Sequence, residues 1–296
     1  MKKLLILSGK GGTGKTTVAA AFIDMLQANA FADCDVDAPN LHIVANLDAV
    51  PERKDYYGSQ KAIIDMDKCV GCGACFDACR FGAITPCDEK YQVDEYACEG
   101  CSVCHFVCPH EAVTMMDDIA GEQILYQNGQ VFSTAKLKMG RGNSGKLVTE
   151  VKDTLTKYAQ DAKLAIIDGS PGIGCPVIAS VTGVDLVLIV AEPSLSGMHD
   201  MERILETTAI LGAKACVCIN KHDTCAQHTQ AIEAYCQKHS IPFVGKIPYD
   251  KQASSAINAG HSLAGVDCPA SVAIKAVLEK TIKVLEIGRA SCRERV

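Results

Sequence analysis

Leu4–Leu7 is an unbroken apolar run, followed directly by the glycine-rich segment Gly9–Thr17. So short a run without polar interruption reads as a strand buried on both faces. Helical spacing of apolar residues follows over Thr16–Ala28, and a second short strand ends at Asp33 after a tight connection. Beyond residue 140 the pattern resumes, with Leu147, Val151, Leu155 and Tyr158 on one helix face. Leu164–Asp168, Leu186–Ala191 and Ala215–Asn220 read as further buried strands, and Phe243–Ile247 as a strand after a helix ending near His239. Ile274, Val277, Leu278, Ile282 and Leu285 mark a last amphipathic helix. Strands alternating with helices predict an α/β fold, a mostly parallel sheet flanked by helices. Gly288–Val296 has no apolar period and reads as a disordered tail.

A different pattern interrupts this alternation. Lys68–Ile84 and Ala97–Val113 align without gaps at a spacing of 29 residues, with all four cysteines of each run in register. Gly71 matches Gly100, Ala83 matches Ala112, and Ile84 matches Val113; a short strand-like segment, Ala62–Asp65 or Tyr91–Asp94, precedes each run. Two copies of one small unit sharing a core explain this arrangement. The boundaries that follow are a first α/β part over 1–58, an inserted α+β module over 59–118, and a second α/β part over 119–287.

Composition sharpens the picture. Seventeen cysteines in 296 residues point to metal binding, because a disulfide framework needs an oxidising compartment and nothing directs the chain there. The apolar stretch after Lys2-Lys3 ends at Ser8, too soon for a signal sequence, and no run is long enough to span a bilayer. A cytoplasmic protein without a membrane anchor is expected. The net charge of −6 gives no support to nucleic-acid binding. Between Ser59 and Asp118 there are eleven acidic and four basic residues, a net of −7, so the cysteine-rich segment carries the acidity.

Gly9-Lys10-Gly11-Gly12-Thr13-Gly14-Lys15-Thr16 matches the phosphate-binding pattern G-x-x-x-x-G-K-[ST] between a predicted strand and a predicted helix. Backbone N–H groups of such a loop, extending to Thr17, can surround the phosphates of ATP. Lys15 is placed to pair with the β- and γ-phosphates, and the Thr16 hydroxyl to ligate Mg²⁺. The early lysine, Lys10, resembles the deviant Walker A loop of the MinD/ParA/nitrogenase iron protein group. That resemblance implies an ATPase that forms a homodimer on ATP binding, with Lys10 reaching the partner's nucleotide. Asp33-Cys34-Asp35-Val36-Asp37 is similar to the group's switch I, implying that Asp35 orients the attacking water and Asp33 sits near the Mg²⁺ shell. Leu164–Gly172 is similar to its Walker B strand and switch II, with Asp168 as the second-shell Mg²⁺ carboxylate. Asn220 and the loop containing Pro248 resemble its base-binding elements.

Cys69-x₂-Cys72-x₂-Cys75-x₃-Cys79 and Cys98-x₂-Cys101-x₂-Cys104-x₃-Cys108-Pro109 resemble bacterial ferredoxin runs, in which the fourth cysteine serves the other cluster. The resemblance implies two [4Fe–4S] clusters, one on Cys69, Cys72, Cys75 and Cys108, the other on Cys98, Cys101, Cys104 and Cys79. Zinc sites more usually pair two C-x₂-C knuckles. Arg80 stands where Pro109 stands in the second copy. Cys34 and Cys175 read either as a thiol or metal pair or as packed small residues. Cys268 has no C-x-x-C partner, unlike cluster-scaffold members of the group. The module leaves after switch I and returns before Walker B, which suggests ATP-driven electron transfer to a redox or metalloenzyme client. Metal or cluster delivery to such a client, and MinD/ParA-like positioning with structural clusters, are the alternatives.

Overall fold

The computed structural model describes residues 1–45, Leu47 and 49–287; the expected tail, 288–296, lies outside the described residues. The chain forms two compact units. One takes Met1–Glu52, Ile124–Ala135 and the chain from Ser144 onward; the other takes Arg53–Gln123 and Lys136–Asn143. In chain order the first unit opens with β1 (Lys2–Leu7), α1 (Lys15–Leu26), β2 (Ala30–Asp33) and the single turn α2 (Leu41–Val44). Next come β3 (Glu52–Tyr57), β4 (Lys61–Ile64), α3 (Ala74–Ala78), β5 (Ile84–Cys87), β6 (Lys90–Val93), α4 (Val103–Val107) and β7 (Val113–Met116). β8 (Ile119–Gln127) and β9 (Val131–Leu137) each contribute residues to both units. The first unit resumes with α5 (Ser144–Tyr158), β10 (Leu164–Asp168), α6 (Cys175–Val181) and β11 (Leu186–Ala191). It ends with α7 (Leu195–Ile210), β12 (Lys214–Asn220), α8 (Ala226–Lys238), β13 (Phe243–Ile247), α9 (Lys251–Asn258) and α10 (Pro269–Ile287).

In the first unit the strands run β13-β12-β11-β1-β10-β2-β9, and every neighbouring pair is parallel. Strands buried on both faces explain the continuous apolar runs: Leu4–Leu7 and all six residues of β11 are buried. On one side Val18, Phe22 and Ile23 of α1 and Ile274, Val277 and Leu278 of α10 join the core that β1 and β10 build. Phe31 of β2 stacks on Phe132 of β9 with ring centroids 5.0 Å apart. The sequence pattern anticipates β1, α1, β2, α5, β10, β11, β12, α8, β13 and α10, but not β3, β8, β9, α6, α9 or the long helix α7. β8 and β9 mix apolar residues with Gly121, Glu122, Gln123, Ser133 and Thr134, so neither shows a clean strand period.

The second unit keeps the internal repeat to the residue. β4, α3 and β5 recur 29 positions later as β6, α4 and β7. β4 pairs antiparallel with β7, and β5 with β6, so each copy's first strand lies against the other copy's last. Matching hydrogen bonds repeat too: Asp65 N donates to Ala112 O at 2.7 Å, and Asp94 N to Ala83 O at 2.7 Å. Gly71 and Gly100 have φ of 72° and 70°, and a Cβ would lie 2.1 Å from Glu89 O or 2.2 Å from Gln60 O. Only glycine fits there. The unit extends past the 59–118 segment that the repeat marks, and its return segment is tied down by Arg141. That guanidinium reaches Glu95 at 2.5 Å and Asp118 at 3.1 Å and lies 5.1 Å from the centre of the Tyr96 ring.

Candidate functional site

Crossing over from β1 to β2 on one side, and from β10 to β11 on the other, opens a crevice at the carboxyl ends of these strands, where ligands of α/β sheets bind. A cavity of about 930 Å³ occupies it. Lys10–Thr17 line one end; Asn220, Lys221, Pro248 and Tyr249 line another, beside apolar Val18, Ile257, Leu263 and Ile274. Gly14 closes the loop at φ 92° as the N-cap of α1, and the helix has no side-chain cap and no acid in its first turn. The leading N–H groups of α1 are therefore free for an anion, with the helix dipole behind them. The Thr13 hydroxyl is buried and without a partner among the described residues. Gly9 lies outside the cavity, packed so closely that a Cβ would meet Asp200 Cβ at 2.0 Å.

Behind the loop lies a buried charge cluster. Parallel pairing puts Asp168, the last residue of β10, beside Asp33, the last of β2. Lys15 Nζ is 2.5 Å from Asp168 Oδ1, with side chains only 6% and 0% exposed, and Thr16 Oγ1 donates to Asp168 Oδ2 at 2.6 Å. Burial alone would lower the Lys15 pKa; the Asp168 charge and hydrogen bond more than offset it and raise the value. Asp33 is pushed up to about 7, by burial first and then by Asp168. Its oxygens accept from the backbone N–H groups of Asp35 (2.9 Å), Asn40 (2.9 Å) and Leu41 (3.0 Å), which shapes the loop into α2. Asp35, half-buried, faces the cavity. Its carboxyl is also raised, by burial ahead of the opposing Lys15 charge. Three carboxyl groups, Asp33, Asp35 and Asp168, surround one lysine, and with the Thr16 hydroxyl alongside, this donor set fits a divalent cation.

Lys10 pairs within its own chain. Its Nζ is 2.8 Å from Glu192 Oε2, and Lys221 Nζ reaches Glu192 Oε1 at 3.8 Å and Gly12 O at 3.0 Å. The hydrogen bond from Lys10 holds the Glu192 carboxyl below its ordinary range. Asn220 Nδ2 donates to Thr13 O at 2.6 Å, which ties the end of β12 to the phosphate loop. Glu192 and Lys221 escape motif reading, although each directly follows a buried strand that ends at the crevice. Cys34 is fully buried, its thiol pushed up to about 12 by burial and then by Asp33, which fits a packed small residue; Cys175 is exposed at the start of α6.

In the second unit the eight run cysteines separate into two cavities. Cys69, Cys72, Cys75 and Cys108 line one; Cys79, Cys98, Cys101 and Cys104 line the other. The strand exchange causes the cross-over: Cys108 precedes β7, which pairs with β4 at the entrance to the first run, and Cys79 precedes β5, which pairs with β6 at the entrance to the second. No three His, Cys, Asp or Glu side chains among the described residues converge enough to hold one metal ion. Zinc, about 2.3 Å from each sulfur, would need that convergence. A cluster carries its own irons and sulfides between the thiolates and does not. The unit's buried apolar core is small, Ala62, Ile64, Cys75, Ala83, Ile84, Cys98 and Val113, with Cys69, Cys79, Cys104 and Cys108 packed against it. A core of that size ordinarily needs a metal or covalent staple, so the quartets fit [4Fe–4S] clusters. Burial raises the Cys75 and Cys104 thiols, so iron would be needed to bring them to thiolate.

A family model described as the CobQ/CobB/MinD/ParA nucleotide binding domain matches residues 4–263. A Methanocaldococcus jannaschii protein called "Uncharacterized protein MJ0578" is 35% identical over 252 residues, 83% of this chain and 86% of its own. A second protein of that organism, "Uncharacterized protein MJ0579", is 26% identical over 261 residues, covering 85% and 87%. Among solved structures, the cell division ATPase MinD of Pyrococcus furiosus aligns with a TM-score of 0.58 at 15% identity, covering 96% of this chain and 99% of that one. MinD of Pyrococcus horikoshii OT3 complexed with Mg-ADP gives 0.57 at 17% identity, covering 97% and 98%. At such identities the likeness is one of fold. No described helix is long and apolar enough to cross a membrane.

Proposed function

The chain belongs to the CobQ/CobB/MinD/ParA nucleotide-binding family, and on that premise we propose that it hydrolyses ATP to drive electron transfer through two [4Fe–4S] clusters. The observation that carries the redox half is the sorting of eight cysteines into two four-membered linings. In the ATPase half, the N–H groups of Gly11–Thr17 hold the phosphates, and Lys15 turns from Asp168 to the β- and γ-oxygens. Thr16 would hold Mg²⁺, with Asp168 and Asp33 in the shell behind it; bound there, the ion would neutralise charge on the phosphates. Asp35, facing the cavity, accepts a hydrogen bond from the attacking water and sets it in line. Lys10 leaves Glu192 to reach the nucleotide of a second copy, which makes the homodimer ATP-dependent. Asn220 and Pro248 bound the base.

Cys69, Cys72, Cys75 and Cys108 would hold one cluster, and Cys98, Cys101, Cys104 and Cys79 the other; each supplies one-electron chemistry. Coupling has a covalent route. β9, which passes into the second unit at Lys136, lies beside β2 as far as Asp33, where Thr134 Oγ1 donates to Asp33 O at 3.2 Å. A switch I that moves with the γ-phosphate therefore pulls on a strand leading into the cluster unit.

Anaerobic purification with iron counting, EPR and potentiometry tests this reading. About eight irons per chain are expected, with a cluster potential that moves on adding Mg·ATP. Four or fewer irons, or potentials indifferent to nucleotide, refute it. The fold shared with MinD cell division ATPases favours one competing reading, ATP-dependent positioning with clusters as structure. ATP-dependent binding to lipid vesicles together with nucleotide-independent potentials would establish that reading instead.

A further inference from the structure

The 29-residue repeat is two-fold in its buried framework but not on its surface. Val103, Phe106 and Val107 occupy positions i, i+3 and i+4 of α4 and so share one helix face. They are 42%, 82% and 39% exposed. The matching positions of α3 are Ala74, Asp77 and Ala78, small or charged. Phe81, 48% exposed, joins Val103 in the lining of the second cysteine cavity, where its counterpart in the first is His110. Glu99 lines the second cavity where Val70 lines the first. Exposed Asp94, Glu95 and Glu99 flank the approach to Cys98. One mouth of the module thus gathers three exposed apolar side chains on one helix face beside acids, whereas at the other Val70 and Phe76, 62% and 42% exposed, stand on separate elements. Folding does not require these side chains outside the core, and a contiguous exposed apolar group beside charge marks an interaction site.

We propose that the α4 face, Val103, Phe106 and Val107 with Phe81, is the surface on which a redox partner docks, so that electrons pass through the cluster of Cys79, Cys98, Cys101 and Cys104. This rests on the iron–sulfur reading above. Charge complementarity identifies the partner's chemistry. The segment 59–118 has a net charge of −7, and cluster thiolates add negative charge. The fitting occupant is a one-electron redox protein whose centre sits in an apolar patch ringed by lysine and arginine. Apolar contact then sets the encounter geometry and charge sets the approach rate.

A mitochondrial cytochrome c, with its lysine-ringed haem edge, is a suitable probe. The full chain, reconstituted and reduced anaerobically without nucleotide, is mixed with it in a stopped-flow instrument, and binding is measured separately at low salt. Phe106→Ser combined with Val107→Ser, neither of which lines a cysteine cavity, should lower both the second-order rate constant and the affinity about tenfold, with iron content unchanged. Phe76→Ser, an exposed apolar residue of α3 outside both cavities, should leave both within about twofold. An unaltered rate and affinity in the double variant, or an equal loss with Phe76→Ser, overturns the proposal. So does sedimentation showing that the double variant abolishes self-association of the nucleotide-free chain, which would make a second copy the occupant. Absence of iron from the wild-type chain would instead remove the iron–sulfur reading, and the docking site with it.

Discussion

Replacing Lys15 with methionine should unsettle the empty protein as well as its chemistry. Methionine keeps most of the apolar stem but deletes the cation that sits 2.5 Å from Asp168 at a site only 6% exposed. Asp168 and its register neighbour Asp33 are then two buried carboxylates facing each other without a counter-charge. Removing one member of a buried ion pair costs about 3–5 kcal/mol. Protonation can relieve part of that cost, which makes the effect pH-dependent. Asp33 already stands at about 7 against 3.8, raised by burial and by Asp168 and held down in part by Lys15. A carboxyl raised in the native state keeps its proton more tightly there than in the unfolded chain. Its burial therefore costs nothing below the unfolded value, and stability falls as pH rises from about 4 through about 7. Without Lys15 the upper limit of that window moves higher.

Urea unfolding of nucleotide-free protein in EDTA, followed by far-UV circular dichroism, measures this. At about pH 8 the variant should lose about 3–5 kcal/mol, and at about pH 5.5 clearly less. A loss that is equal at both pH values, or under about 1 kcal/mol at the higher one, would refute the charge-cluster account.

Lys152, 6% exposed, donates to Ala179 O, Ser180 O and Thr182 O at 2.7, 2.8 and 2.5 Å and so caps the C-terminal end of α6. Lys152→Met should cost about 2–4 kcal/mol in denaturant titrations, since one buried and two part-buried carbonyls lose a charged donor. Cys108→Ala should remove the cluster of the first run although it lies in the second, leaving about four irons and one EPR signal; loss of the second run's signal instead would contradict the strand exchange. Glu192→Gln should release Lys10 and strengthen ATP-dependent dimerisation several-fold by sedimentation, and weaker dimerisation would show that Glu192 serves the dimer itself. Gly9→Ala should abolish nucleotide binding in calorimetry or yield unfolded protein, because its Cβ would meet Asp200 Cβ at 2.0 Å.

Much of the site was legible along the chain because its parts are contiguous. The phosphate loop, the buried strand ending in Asp168 and the two cysteine runs each fit within a dozen or so residues, and their spacing states a backbone geometry. The sequence by itself determined that this protein has a nucleotide-binding α/β unit and a duplicated cysteine unit. Pairing across distance was decided elsewhere. Asp33 and Asp168 become a repelling pair only through the β2–β10 register, and Lys10 meets Glu192 only because β1 lies beside β11. Cys108 joins the first run because β7 chooses β4, and nothing in the intervals of the cysteines specifies that choice. β3, β8 and β9 were invisible for the same reason. A strand whose own pattern is weak is stabilised by the neighbour it pairs with, and that neighbour can lie a hundred residues away, as β2 does from β9. Local spacing fixes local backbone geometry; partners across the sheet, and the charges and thiols they bring together, exist only once the chain has closed on itself.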